Sequence, residues 1–158
     1  MANTQSMCTS FMGELMTATH NFGTSPVRAA STADTFKAAL YVTTATVNAS
    51  TTAYSATNEV SGTGYSAGGV TVTNATPPAS TNTSSTAGTA YWTPSASITY
   101  TTVTLTTAFD CVLIYNSTQS NKAVSVHTFG SQTVTAGTFT LTMPSNTTST
   151  ALLRLATT

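Results

Sequence analysis

Charge is what this sequence has least of. Four of its 158 residues are Lys or Arg and four are Asp or Glu, so charged residues make up 5% and cancel to a net charge of zero. A typical globular domain carries about 25%. The acids are Glu14, Asp34, Glu59 and Asp110, and the bases are Arg28, Lys37, Lys122 and Arg154. They are too few and too evenly balanced to form a basic stripe for nucleic acid or a patch for an anionic membrane, so neither is expected as a partner. Histidine and cysteine are scarcer still. His20, His127, Cys8 and Cys111 are scattered with no short paired spacing. A metal centre takes three or four ligands from such residues, so neither metal nor cofactor is expected. A Ser-His-Asp triad can be assembled on paper from Asp110, His127 and any of many serines, but triads are recognised by geometry and not by inventory. Four unclustered acids offer no pair for glycoside chemistry. The chain is therefore expected not to be an enzyme.

Long apolar runs are also missing, with one exception. Ala108 to Asn116, AFDCVLIYN, is the only one, and nothing approaches the length of a membrane span. The opening residues MANTQSMC have neither a basic nor an apolar leader region. Synthesis and folding are accordingly expected in a cytoplasm, with Cys8 and Cys111 as unpaired thiols. In the apolar run, Phe109, Cys111, Leu113 and Tyr115 alternate with Asp110, Val112, Ile114 and Asn116. Both sets are mostly apolar, which predicts a strand buried on two faces, central in its sheet.

What the chain has in abundance is threonine, roughly a quarter of all residues. Thr is β-branched and suits a pleated, half-exposed surface. Phe36 to Val42 alternates as a strand, as do Val70 to Asn74, Ala90 to Trp92, Lys122 to Phe129, Thr138 to Met143 and the closing ALLRLA of Ala151 to Ala156. Within Ala96 to Thr107 the apolar parity switches, which predicts a bulge or bend near Thr101, or a passage between two sheets. SGTGYSAGG, Ser61 to Gly69, lacks the Lys-Ser/Thr ending of a P-loop and the GxGxxG order of a dinucleotide site, so its glycines are read as a backbone requirement. Ala79 to Gly88, ASTNTSSTAG, reads as a mobile surface loop. The expected architecture is all-β: a single-domain β-sandwich or barrel-like sandwich of about eight to ten short antiparallel strands over residues 34–158.

Residues 1–33 read as an arm with a short helix somewhere between Ser6 and Asn21. Phe11 and Leu15 share one face, and Met12 and Met16 another. The plainer reading is a segment covering the sheet's own core. The functional one is an arm that docks on a partner through Phe11, Met12, Leu15, Met16 and Phe22. Trp92 with Tyr91, and Tyr65 with Tyr100, would form an aromatic platform for sugar if exposed, although aromatics in a sandwich more often fill the core.

Several phrases carry a resemblance: DTFKAALY (Asp34 to Tyr41), TTAYSATNEVSGTGYSAGG (Thr51 to Gly69), the Tyr91-Trp92 strand, FDCVLIYN followed by NKAVSVHTFG, and the passage from AGTFTLTMP to ALLRLA. In this wording the chain from about Asp34 onward resembles small structural proteins of tailed-phage virions, most of all capsid decoration or cement proteins. The resemblance implies a non-enzymatic virion protein made in the host cytoplasm and placed on the capsid exterior. It further implies a dimer or trimer that contacts the major capsid protein. The rival expectation is a tail, collar or adhesin β-domain that binds host surface carbohydrate.

Overall fold

The computed structural model describes residues 3–16, 19–22, 33–81 and 88–156. In chain order these form β1 (Ser6–Met7), helix α1 (Thr9–Met16), β2 (Phe36–Val42), β3 (Val70–Thr71), β4 (Ala79–Ser80), β5 (Thr89–Trp92), β6 (Ile98–Asn116), β7 (Lys122–Leu141) and β8 (Leu153–Ala156). All strand pairs are antiparallel. One sheet has the order β1-β7-β6-β2-β3 and the other β4-β5-β8, so the protein is an all-β sandwich with open sheets and no closed barrel.

The apolar run lies where its two-sided pattern places it, at the centre of the larger sheet as the second half of β6. Phe109, Cys111, Val112, Leu113, Ile114, Tyr115 and Asn116 are all buried. β2 borders it, with Ala39 opposite Leu113 and Leu40 opposite Val112, and buries both of its own faces, including Tyr41. Removing each such aliphatic side chain from water contributes roughly 1.5–3 kcal/mol.

Two strands are far from short. β6 runs for 19 residues and β7 for 20, absorbing stretches that alternation alone divides into several. The parity switch near Thr101 is a bulge: the register with β7 shifts between Tyr100 and Val103, and Thr102 has φ 54°. Further shifts follow down to Ile114/Tyr115. Each inserted residue resets which parity faces inward, so one continuous strand keeps Ile98, Tyr100, Val103, Leu105 and Phe109 all buried. The passage between sheets comes earlier than the bulge, at residues 93–97, where β5 hands over to β6. At 142–152, β7 likewise hands over to β8. β5 and β8 pair with each other, as β6 and β7 do.

Three local expectations need correction. The first turn of the anticipated helix is β1, because Ser6 and Met7 pair with Val126 and Ser125 of β7. The strand expected to reach Asn74 ends at Thr71. The stretch read as a mobile loop begins as β4, with Ala79 opposite Tyr91, while residues 82–87 of it lie outside the described residues.

The glycine-rich segment drapes over the large sheet. A Cβ on Gly69 would collide with the carbonyl oxygen of Ala38, and one on Gly62 with that of Thr104. Gly69 also has φ 70°. The glycines are there for close approach and left-handed backbone.

Candidate functional site

The arm residues come first. Phe11 and Phe22 are buried, at 1% and 7% exposure. They meet edge to face at 5.7 Å inside an aromatic group that also holds His20, Phe36 and Trp92. Leu15 is half-buried against the same core, and the side chains of Met12 and Met16 lie outside what is described. Phe11 and Phe22 are thus brought together, but facing inward. What the arm leaves on the surface is an apolar groove between α1 and the small sheet, where Leu15 and Met7 face Tyr91 and Leu155. Leu155 is the one exposed large hydrophobic among the described residues.

The arm is fastened by a polar network that spacing does not reveal. His20, with a fully buried side chain, contacts Glu14 Oε2 through Nε2 at 2.7 Å and Asn116 Nδ2 through Nδ1 at 3.0 Å. Asn116 cannot be turned over. Its Oδ1 accepts from the backbone N–H of Thr118 and Gln119, and its Nδ2 donates to Asp34 Oδ2 at 2.8 Å. Nδ1 of His20 is therefore the acceptor, and Nε2–H donates to Glu14. Burial pushes the His20 pKa down, and the pull of Glu14 offsets only part of that, which agrees with the neutral ring. Burial pushes the Glu14 carboxyl up, but the bonds from Lys122, at 2.6 Å, and from His20 outweigh it and hold the group below its ordinary range. With both ring nitrogens engaged and no exposure, His20 is placed to hold the arm rather than to move protons for a substrate.

His127 is the other histidine. Its Nε2 lies 2.8 Å from Ser125 Oγ, two residues away on the same strand face. Ser125 is 1% exposed, and Asp110 accepts instead from Asn3 Nδ2 at 2.6 Å. The paper triad is not assembled. Burial pushes the His127 pKa down to about 4. Cys8 and Cys111 are free and buried, and burial pushes their thiols up to about 11 and about 12, far from reactive thiolates. Among the described residues no group of three His, Cys, Asp or Glu side chains comes together as a metal site.

Trp92, Tyr65 and Tyr100 of the aromatic platform pack into or against the core, while Tyr91 is half-buried and lines the groove beside α1. Trp92 and Tyr100 are each 2% exposed. Tyr65 stacks on Tyr100 at 5.9 Å, donates to Glu59 Oε1 at 2.7 Å and accepts from Leu40 N–H. Tyr54 donates to Glu59 Oε2, and Gly68 N–H donates to Oε1. Glu59 is the knot of the glycine-rich segment.

One surface stands out by its composition. Ile98 to Phe109 of β6 and Ala123 to Leu141 of β7 contain no Asp, Glu, Lys or Arg. Phe129, Val134, Phe139 and Leu141 are only partly buried there. Phe139 meets Phe109 edge to face at 5.0 Å and lies 5.3 Å from Phe129. The signal in the sequence was the absence of charge from these two stretches together, which becomes meaningful only once they are known to be paired. No helix among the described residues is long and apolar enough to cross a membrane. Compared with known proteins, the chain matches no family model, no curated protein and no solved structure.

Proposed function

We propose that this protein is a non-enzymatic structural component of a tailed-phage virion, a capsid decoration or cement protein that sits on the capsid exterior and stabilises the lattice of the major capsid protein. The observation that carries this reading is the long β6–β7 hairpin. It is charge-free beyond the central run and keeps Phe129, Val134, Phe139 and Leu141 only partly covered. Such a surface suits packing into a protein lattice. The resemblance in strand wording from Asp34 onward supports the same reading. A rigid two-sheet body that bonds several capsid subunits at once gains avidity, and its binding raises the cost of their separation. It would act as a homo-oligomer, a dimer or trimer, contacting the major capsid protein, with neither nucleic acid nor membrane as a partner. The apolar groove beside α1 offers a second contact.

Quantifying the protein in purified particles tests this. A copy number comparable with that of the major capsid protein is expected. A handful of copies per particle would move the protein to the tail or collar, where host carbohydrate becomes the ligand to look for.

A further inference from the structure

The two edges of β7 are treated differently. One is paired with β6 from end to end, though with register shifts, from Lys122 opposite Asn116 to Leu141 opposite Ile98. On the other, Ala53 bridges Lys122, the Cys8 N–H donates to the Val124 carbonyl, β1 pairs with Ser125 and Val126, and the Thr128 hydroxyl donates to Gln5 Oε1 just beyond. From Phe129 to Leu141, among the described residues, no strand pairs with that outer edge. An uncovered edge presents a row of backbone N–H and C=O groups that another strand satisfies best. Proteins that stay monomeric blunt such edges with charge or proline. Ala123 to Leu141 has neither. Bulges do interrupt it, between Thr128 and Gln132 and again at Ala136, which has φ 46°. Past the second, Gly137 to Leu141 runs on to the end of the strand, with Phe139, Thr140 and Leu141 opposite Tyr100, Thr99 and Ile98 without a shift.

We infer that this piece of β7 pairs, antiparallel, with the same piece of a second copy, across a two-fold axis at Phe139. The register is self-complementary, as an isologous contact requires. Phe139 lies opposite its own counterpart, and Thr138 lies opposite Thr140. Phe139 and Leu141, half-buried, would extend the cluster of Tyr100, Phe109 and Phe129 across the axis. On the other face, the exposed Thr99, Thr140 and Thr138 would continue into the partner's threonines. Such aromatic and Thr–Thr pairs are favourable cross-strand neighbours. A second copy fits better than a charged partner strand, because the edge offers no counter-charge and nothing to repel an identical strand. Five residues of strand span only about 16 Å, so the pair is small. Its free dissociation constant is expected in the micromolar range, and it tightens when copies are concentrated on one surface.

The inference sharpens the oligomer in the function proposed above and rests on that reading only for the surface that concentrates the copies. Measured on free protein, its failure says nothing about attachment to capsids, nor the reverse. Sedimentation equilibrium over about 5 to 500 µM should show a monomer–dimer equilibrium with dimer dominant at the top of the range. Monomer throughout overturns it. A Thr138→Lys/Thr140→Lys variant places like charges opposite each other in this register and should be monomeric, as should Thr138→Glu/Thr140→Glu. Mixing the two should restore a dimer, and a lysine variant that still self-associates overturns the register. In the unaltered protein, amide exchange at Phe139 to Leu141 should slow as concentration rises. Exchange there that ignores concentration also overturns the inference.

Discussion

His127 shows how much one partly buried side chain can govern. Its pKa is pushed down to about 4 by burial, against an ordinary value of 6.5. Between those values the unfolded chain holds a proton that the folded one does not, so stability rises with pH across that window and is lost as pH falls through it. Acidification from about pH 7 to 4.5 should cost about 2 kcal/mol from this residue alone. His20, also depressed, and Glu14, held low by Lys122 and His20, act in the same direction. Urea unfolding of the native protein and of His127→Gln at the two pH values measures the difference. The variant should lose less stability on acidification, by about that amount. Equal losses would mean that His127 titrates normally in the fold. None of this was legible in the sequence, where His127 is one polar residue on an alternating strand. Its burial comes from where β7 sits in the sheet, and its hydroxyl partner from the i, i+2 geometry of a strand.

Among the elements, legibility followed the range of the interactions. Strands whose identity rests on local alternation, β2 and the second half of β6, are where the sequence places them, and the bulge near Thr101 was legible as a broken parity. β1 was not, because two residues form a strand only by virtue of a partner more than a hundred residues away. The continuity of β6 and β7 was also hidden, since each bulge imitates a strand end. The Glu14–His20–Asn116–Asp34 network draws on four separate stretches and has no spacing to read. The glycine-rich segment sits between these cases. Its need for glycine was legible, but its anchor was not. Glu59 accepts from two tyrosine hydroxyls and the Gly68 N–H, and burial, with the bond to Glu59 adding to it, raises the Tyr54 phenol to about 12. Glu59→Gln replaces one accepting oxygen with an NH2 group that faces a donor. The expected cost is about 1–3 kcal/mol, with the amides of the glycine-rich segment exchanging faster while β6 and β7 stay protected. Unchanged exchange there would show that packing of Tyr65 and Tyr100 alone holds the segment down.

For the whole molecule, the scarcity of charge has a consequence that does not depend on which surface meets the partner. Four basic and four acidic residues leave few ion pairs to form across any interface, and Glu14 and Lys122 are already engaged with each other within the fold. Raising ionic strength from about 0.1 to 1 M shortens the screening length from about 10 Å to 3 Å and removes most long-range attraction between exposed charges. It leaves apolar burial and backbone hydrogen bonding largely intact. The proposed attachment to capsids, if it rests on surfaces such as the charge-free hairpin and the groove beside α1, is therefore expected to survive molar salt. Purified protein added to particles that lack it, at the two salt concentrations, checks this by the amount co-sedimenting. Occupancy should differ by less than twofold. Release in molar salt would mean that some of the eight charges, concentrated against complementary ones on the capsid, carry the attachment, and single substitutions of Lys37 and Arg154 would then locate them. Retention would instead direct mutation to Phe139, Leu141 and Leu155, side chains that the fold leaves partly uncovered.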